Sequence, residues 1–125
     1  MTKQTLPAAH IRLKRAYEPP SRADGVRILV DRLWPRGVSK DDAALDDWMK
    51  DVAPSAALRK WFAHDPERWP EFRRRYRAEL KEHPEDLARL RDLARKKTVT
   101  LVYGARDEEH NDAVVLRDVL LGRKT

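Results

Sequence analysis

Hydrophobic and polar positions along the chain follow two periods, and they divide it into a few short strands and a longer helical middle. Alternation at Ile11, Leu13, Arg15 and Tyr17 predicts a strand with one solvated face. The tandem prolines and the Asp24-Gly25 turn signal within Glu18–Gly25 mark a loop. Val26–Leu33 predicts a second strand, which Pro35 and Gly37 end: proline has no ladder donor, and glycine permits a sharp turn. From Ser39 the period changes to that of a helix. Ser39 and Asp42 form a capping box that predicts a helix through about Val52, with Leu45, Trp48, Met49 and Val52 as its buried stripe.

Three more helices are expected before the next strand. Ser55 caps a short one bearing Leu58, Trp61 and Phe62. Asp65-Pro66-Glu67 opens another, reaching about Glu82 with Trp69, Phe72, Tyr76 and Leu80 on one side. His83-Pro84 breaks it and starts a third through Lys96, carrying Leu87, Leu90 and Leu93. Thr98–Ala105 is almost wholly apolar, as expected of a central strand covered on both faces. A polar junction follows, then a final helix over Asn111–Gly122. The pattern predicts an α/β fold: one compact domain over 10–125, with a small, mostly parallel sheet of three or more strands covered by about five helices. Residues 1–9 read as a flexible lead-in. The long helical connection makes the second and last strands parallel, so their carboxyl ends share one edge, where open α/β sheets bind ligands.

Composition narrows the chemistry. The 125 residues hold 41% hydrophobic residues including 4 tryptophans, too many for a disordered chain although 38% are charged. There is no cysteine, which excludes disulfides, thiolate metal sites and thiol nucleophiles together. No secretory or membrane-spanning segment is evident, so the expected setting is the cytoplasm, with no membrane partner. A formal charge of +6 favours anionic partners such as nucleotides, phosphorylated metabolites or nucleic acid, and an Arg-rich solvated surface accounts for the same charge.

Candidate site residues fall at the two strand ends. Asp31 reads as a general base or hydroxyl acceptor, or else as the structural partner of a neighbouring arginine. Arg32 points to the opposite face if the strand continues, and it is set aside on that ground. Arg36 offers a planar donor fork for phosphate, Gly37 lets backbone approach, and Trp34 is core or pocket wall. Across the edge stand Tyr103, Gly104, Arg106, Asp107, His110 and Asn111. His110 is a candidate acid/base, Gly104 admits a ligand close to the backbone, and Asn111 is also a natural helix cap. No metal-ligand spacing is evident, no cofactor is implied, and no elbow-type turn offers a serine nucleophile. Ser39, Ser55 and His64 read as cap residues. Arg74, Arg77 and Lys81 form a basic stripe that fits nucleic-acid phosphates, although the interspersed glutamates fit a solvated, salt-bridged helix equally well.

Several tracts carry a family resemblance: VRILVDRLWPRGVSK at Val26–Lys40, DWMKDVAPS at Asp47–Ser55, LRKWFAHDP at Leu58–Pro66, the spacing of Trp69, Phe72 and Tyr76, and LVYGARDEEHNDAVVL at Leu101–Leu116. On these the chain resembles the YeaO-like family of small bacterial proteins, within a superfamily named as a domain of unknown function, DUF488. The resemblance implies no particular activity. It implies an Asp-and-Arg strand end like that of Asp31 and Arg36. It also brings out a departure: Glu109-His110-Asn111 stands where typical superfamily members carry a Cys-His-Arg tract, so thiol chemistry does not carry over. Three functions are expected, in order: a domain binding or acting on a phosphate-bearing or nucleotide-like anion at the strand ends, a nucleic-acid-binding accessory protein, and an interaction module without chemistry. Whether the chain is an enzyme, and how many copies assemble, is left open.

Overall fold

The computed structural model describes residues 6–124. Four strands form one sheet in the order β1-β4-β2-β3: β1 (Ile11–Arg15), β2 (Val26–Leu29), β3 (Asp47–Trp48) and β4 (Val99–Tyr103). Every pairing is parallel, with Leu13 and Ile28 both opposite Leu101. All five β4 residues are buried, which is why that segment reads as a continuous apolar run rather than an alternating one. Five helices complete the α/β domain: α1 (Lys40–Ala43), α2 (Ala56–Phe62), α3 (Trp69–Leu80), α4 (Pro84–Lys96) and α5 (Asp112–Leu120). Leu6 packs against the main core and Ala8–His10 makes a single 3-10 turn, while residues 1–5 of the expected lead-in lie outside the described residues.

The two faces of the sheet are covered differently. On one face β4 presents Val99, Leu101 and Tyr103 to a core that includes Phe62, Phe72, Tyr76, Leu90 and Leu116 from α2–α5. Phe62 and Phe72 stack with centroids 4.3 Å apart, and the buried Tyr76 hydroxyl donates to the Val52 carbonyl. On the other face Leu29 and Val102 form a small cluster with Trp34, Leu45 and Trp48. Beside it lies a buried ion pair, in which Arg27 Nη1 donates to Asp24 Oδ2 over 2.6 Å. Arg27 also donates to the Ala43 and Ala44 carbonyls, Lys14 donates to Asp24, and Thr100 Oγ1 donates to the Asp24 carbonyl. Burial works to raise the Asp24 carboxyl, and the Ser21 N–H with Lys14 and Arg27 outweighs it, leaving the group below its ordinary value.

The helix expected from Ser39 to Val52 is corrected. Ser39 does cap a helix, accepting from the Asp42 N–H, but Ala44 turns left-handed (φ 47°) and ends it after one turn. Asp47-Trp48 then pairs with β2, and Met49 N–H donates to the Leu29 carbonyl. The outer edge of β2 would otherwise carry unpaired backbone groups, and β3 satisfies them. The apparent stripe is split between two cores: Met49 and Val52 enter the main one, Leu45 and Trp48 the smaller one. Ser55, Asp65 and Asn111 each accept from a backbone N–H at a helix start, and α3 and α4 follow the prolines as expected.

Candidate functional site

β2 stops at Leu29 and the chain bends over 31–33, so the alternation that set Arg32 aside does not extend that far. Asp31 and Arg32 therefore both line a cleft of about 660 Å³ at the carboxyl ends of the strands. The bend after β2 supplies Asp31–Arg36 as one wall. The segment after β4 and the start of α5 supply Gly104–Asp107 and His110–Asp112 as another, and Pro54, Arg59, Phe62 and His64 close a third side. The two strand ends expected to converge do meet here. A shallower hollow beside α4 is lined by Glu85, Ala88, Arg89, Asp92, Leu93 and Lys96, of which Arg89 pairs with Asp47 and Asp92 with Arg95.

Two carboxyl groups lie together at this site. Gly104 N–H donates to Asp31 Oδ2 over 2.8 Å, and Asp112 lies within hydrogen-bonding reach of Asp31. A Cβ on Gly104 would stand 3.3 Å from Asp31 Oδ2, so the glycine leaves room for this carboxylate rather than for a ligand. Burial, and then the charge of Asp31, push the Asp112 carboxyl well above its ordinary value. Asp112 retains an edge on the cleft and accepts from the Ala113 N–H at 2.8 Å. Its position in the first turn of α5 looks, in sequence, like a mere complement to the helix dipole, so sequence alone does not single it out.

Four arginines face the same cleft: Arg32, Arg36, Arg59 and Arg106. None of them forms an ion pair among the described residues, whereas Arg27, Arg74, Arg75, Arg89 and Arg95 all do. Arg32 Nε donates to the Pro54 carbonyl at 3.2 Å, and Arg59 Nε is buried with no protein partner. Arg36 and Arg106 are exposed at the rim.

The remaining candidates are distributed as follows. His110 lines the cleft with Nδ1 2.8 Å from Asp107 Oδ2, and its ring stands edge-on to Trp69 with centroids 5.2 Å apart. The Glu109 N–H and then His110 hold Asp107 below the ordinary carboxylate range. Asn111 borders the cleft, but its amide is committed: Oδ1 accepts from Val114 N–H and Nδ2 donates to the Asp107 carbonyl. Trp34 forms a wall, edge-on to Trp48 with centroids 5.5 Å apart, and its Nε1 donates to the Val38 carbonyl. Tyr103 belongs to the main core and not to the cleft, because β4 turns it to the helix side. Gly37 has φ 79° in an exposed turn beyond the cleft, so no backbone approach to a ligand occurs through it.

His64 corrects another expectation. Asp65 alone caps the following turn, accepting from Glu67 N–H at 3.0 Å. His64 instead lines the cleft, and with Ala63 it occupies two successive left-handed positions (φ 48° and 55°). Non-glycine residues seldom adopt that conformation, and where they do the strain often sits at a functional site.

The basic stripe of α3 is engaged elsewhere. Arg74 and Arg75 bind Glu71 and hold its carboxyl at about 2, Arg77 donates to the Arg123 carbonyl over 2.7 Å, and Lys81 is exposed at the helix end. No helix among the described residues is long and apolar enough to cross a membrane.

Comparison with known proteins places this arrangement among relatives. A family model described as the inactive DUF488-N3 subclade (DUF488-N3i) matches residues 10–125. The chain is 48% identical over 111 residues to the uncharacterised protein YeaO of Escherichia coli (strain K12), covering 89% of this chain and 96% of the relative. It is 46% identical over 113 residues to uncharacterised proteins of Mycobacterium bovis and Mycobacterium tuberculosis, covering 90% of this chain and 95% of each relative. No solved structure matches the chain.

Proposed function

Since this chain belongs to the YeaO-like DUF488 family, in a subclade described as inactive, we propose that its cleft binds a small anion without transforming it. The observation that carries the reading is the set of four cleft arginines without a carboxylate partner. An arginine without a carboxylate partner in a partly enclosed site retains donors for phosphate or carboxylate oxygens. Arg59 adds a buried Nε with no protein acceptor; Arg73, Arg77 and Arg117 carry the same feature elsewhere, and Arg59 alone of the four lines the cleft. The subclade's description favours binding over turnover. The absence of cysteine removes the thiol of the superfamily's typical members and agrees with that description.

Titration with inorganic phosphate and pyrophosphate tests the reading by thermal shift and calorimetry. A ligand at one hundred times its Kd stabilises the folded chain by about 2.7 kcal/mol, a shift of several degrees for a domain of this size. Arg59→Ala combined with Arg32→Ala should abolish the shift while the protein stays folded by circular dichroism. Equal shifts in the wild type and that variant would overturn the reading, as would silence toward both anions.

A further inference from the structure

The acids and the arginines of the cleft line the same space, yet they do not pair with each other. Asp31 and Asp112 stand together, and neither meets Arg32, Arg36, Arg59 or Arg106 in an ion pair among the described residues. A site made only for inorganic phosphate would gain nothing from a carboxylate beside it, because that charge repels the ligand. A site made only for a cation would not hold four arginines. Both features are satisfied together by a ligand with oxygen acceptors at one end and hydroxyl donors at the other.

Resting on the anion-binding reading, we infer that the cleft takes a phosphorylated sugar, free or within a nucleotide, with its phosphate on the arginines and a sugar hydroxyl on Asp31. Asp31 accepts one backbone hydrogen bond, from Gly104 on Oδ2, and a carboxylate has room for about four. Acceptor capacity is therefore left on the cleft side. Asp112 lines the same cleft beside Asp31, so two carboxyl groups are within reach of the sugar hydroxyls. A cleft of about 660 Å³ is within the range of small-molecule sites and larger than bare phosphate needs. Phe62 and Trp34 give the sugar ring, or a base attached to it, an apolar wall.

The test is calorimetry on the full chain with four probes: inorganic phosphate, propyl phosphate, ribose 5-phosphate and adenosine 5′-monophosphate. Ribose 5-phosphate is expected to bind at least 10-fold tighter than propyl phosphate, which has the ester but no hydroxyls. Asp31→Asn should remove that advantage, read as the ratio of the ribose 5-phosphate and propyl phosphate affinities within the variant. A tighter adenosine 5′-monophosphate complex identifies the nucleotide as the source of the sugar phosphate, and a tighter ribose 5-phosphate complex identifies the free sugar. Equal affinity for propyl phosphate and ribose 5-phosphate in the wild type would overturn the inference and leave the anion reading standing, whereas silence toward all four probes would remove both. The wild-type comparison needs no variant, so misfolding of Asp31→Asn cannot mask the result. Loss of ribose 5-phosphate binding in the presence of EDTA would also overturn the inference, since a cation would then be meeting the acids.

Discussion

Asp31 and Gly104, separated by 73 positions in the chain, are joined by a hydrogen bond of 2.8 Å from the glycine N–H to the aspartate Oδ2. The contact ties the end of β2 to the end of β4 where the parallel strands open into the cleft. It also explains the glycine. The space a side chain at 104 would take is bordered by the protein's own Asp31 carboxylate.

Gly104→Ala checks this relationship. The new Cβ would stand 3.3 Å from Asp31 Oδ2 and 3.9 Å from Pro35 Cβ, so Asp31 must give by a few tenths of an ångström. Asp31 also adjoins Asp112, which limits where it can go. The expected cost is about 1–2 kcal/mol in denaturant unfolding, typical of overpacking. Unchanged stability together with an unshifted Asp31 carboxyl resonance would show that the carboxylate is not confined there.

The Asp24–Arg27 pair underlies the other face of the sheet, where the short α1 meets it through the Ala43 carbonyl. Asp24 is wholly buried and binds Arg27, Lys14 and the Ser21 N–H. Asp24→Ala leaves the Arg27 guanidinium buried without its counter-charge, and a loss of about 3–5 kcal/mol is expected. The sign with pH follows from the lowered carboxyl. Its stabilisation is fully present above the ordinary carboxylate value and is lost as the pH falls through the lower, folded-state value. The wild type should therefore lose stability on that acid limb more steeply than Asp24→Asn does. Parallel acid limbs would refute the assignment.

Ala63 ends α2 in a left-handed conformation with φ 48°, and its N–H donates to the Arg59 carbonyl. An alanine there bears a Cβ clash that glycine does not. Ala63→Gly is expected to stabilise the fold by about 0.5–1 kcal/mol after the extra freedom of the unfolded chain is deducted. The expected readout is a higher urea midpoint with an unchanged slope. A lower midpoint would mean that the left-handed turn leading into His64 is not strained.

The extent to which sequence reveals this molecule follows from what each signal measures. Helices α3 and α4 each follow a proline start with a regular stripe, and β4 is a buried run between polar ends. These features depend on local periodicity, which sequence carries directly. β3 does not. Leu45, Trp48, Met49 and Val52 have helical spacing by coincidence, and only the unmet backbone edge of β2 explains why 47–48 extend. The convergence of Asp31 with the Gly104–Asn111 segment follows from parallel topology and is legible for that reason. Asp112 and Arg59 were not. Each lies on a helix where an acid in the first turn or an arginine in the middle has an ordinary surface explanation, and only the cleft distinguishes them. Arg32 lies beyond the end of β2 at Leu29, where strand alternation no longer tells which way a side chain faces.

Asp112→Asn addresses the carboxyl pair through its pH dependence. Burial and the adjacent Asp31 raise the Asp112 carboxyl well above its ordinary value, so the folded chain holds a proton that the unfolded chain releases. The sign is the reverse of that for Asp24. Below the ordinary carboxylate value both states are protonated and the group costs nothing. As the pH rises from there toward the folded-state value, the unfolded chain gains by ionising and the fold loses stability. Asparagine keeps the shape and a donor toward Asp31 but cannot ionise. Asp112→Asn is therefore expected to match or fall slightly below the wild type in acid, where the lost contact with the Ala113 N–H is exposed as a cost, and to exceed it at neutral pH. The quantity to measure is the difference in Tm between the two proteins across that range. If it grows with pH, Asp112 keeps its proton beside Asp31 in the folded chain. A difference that stays flat, or that shrinks with pH, would show that Asp112 ionises like an ordinary surface acid and that Asp31 works alone.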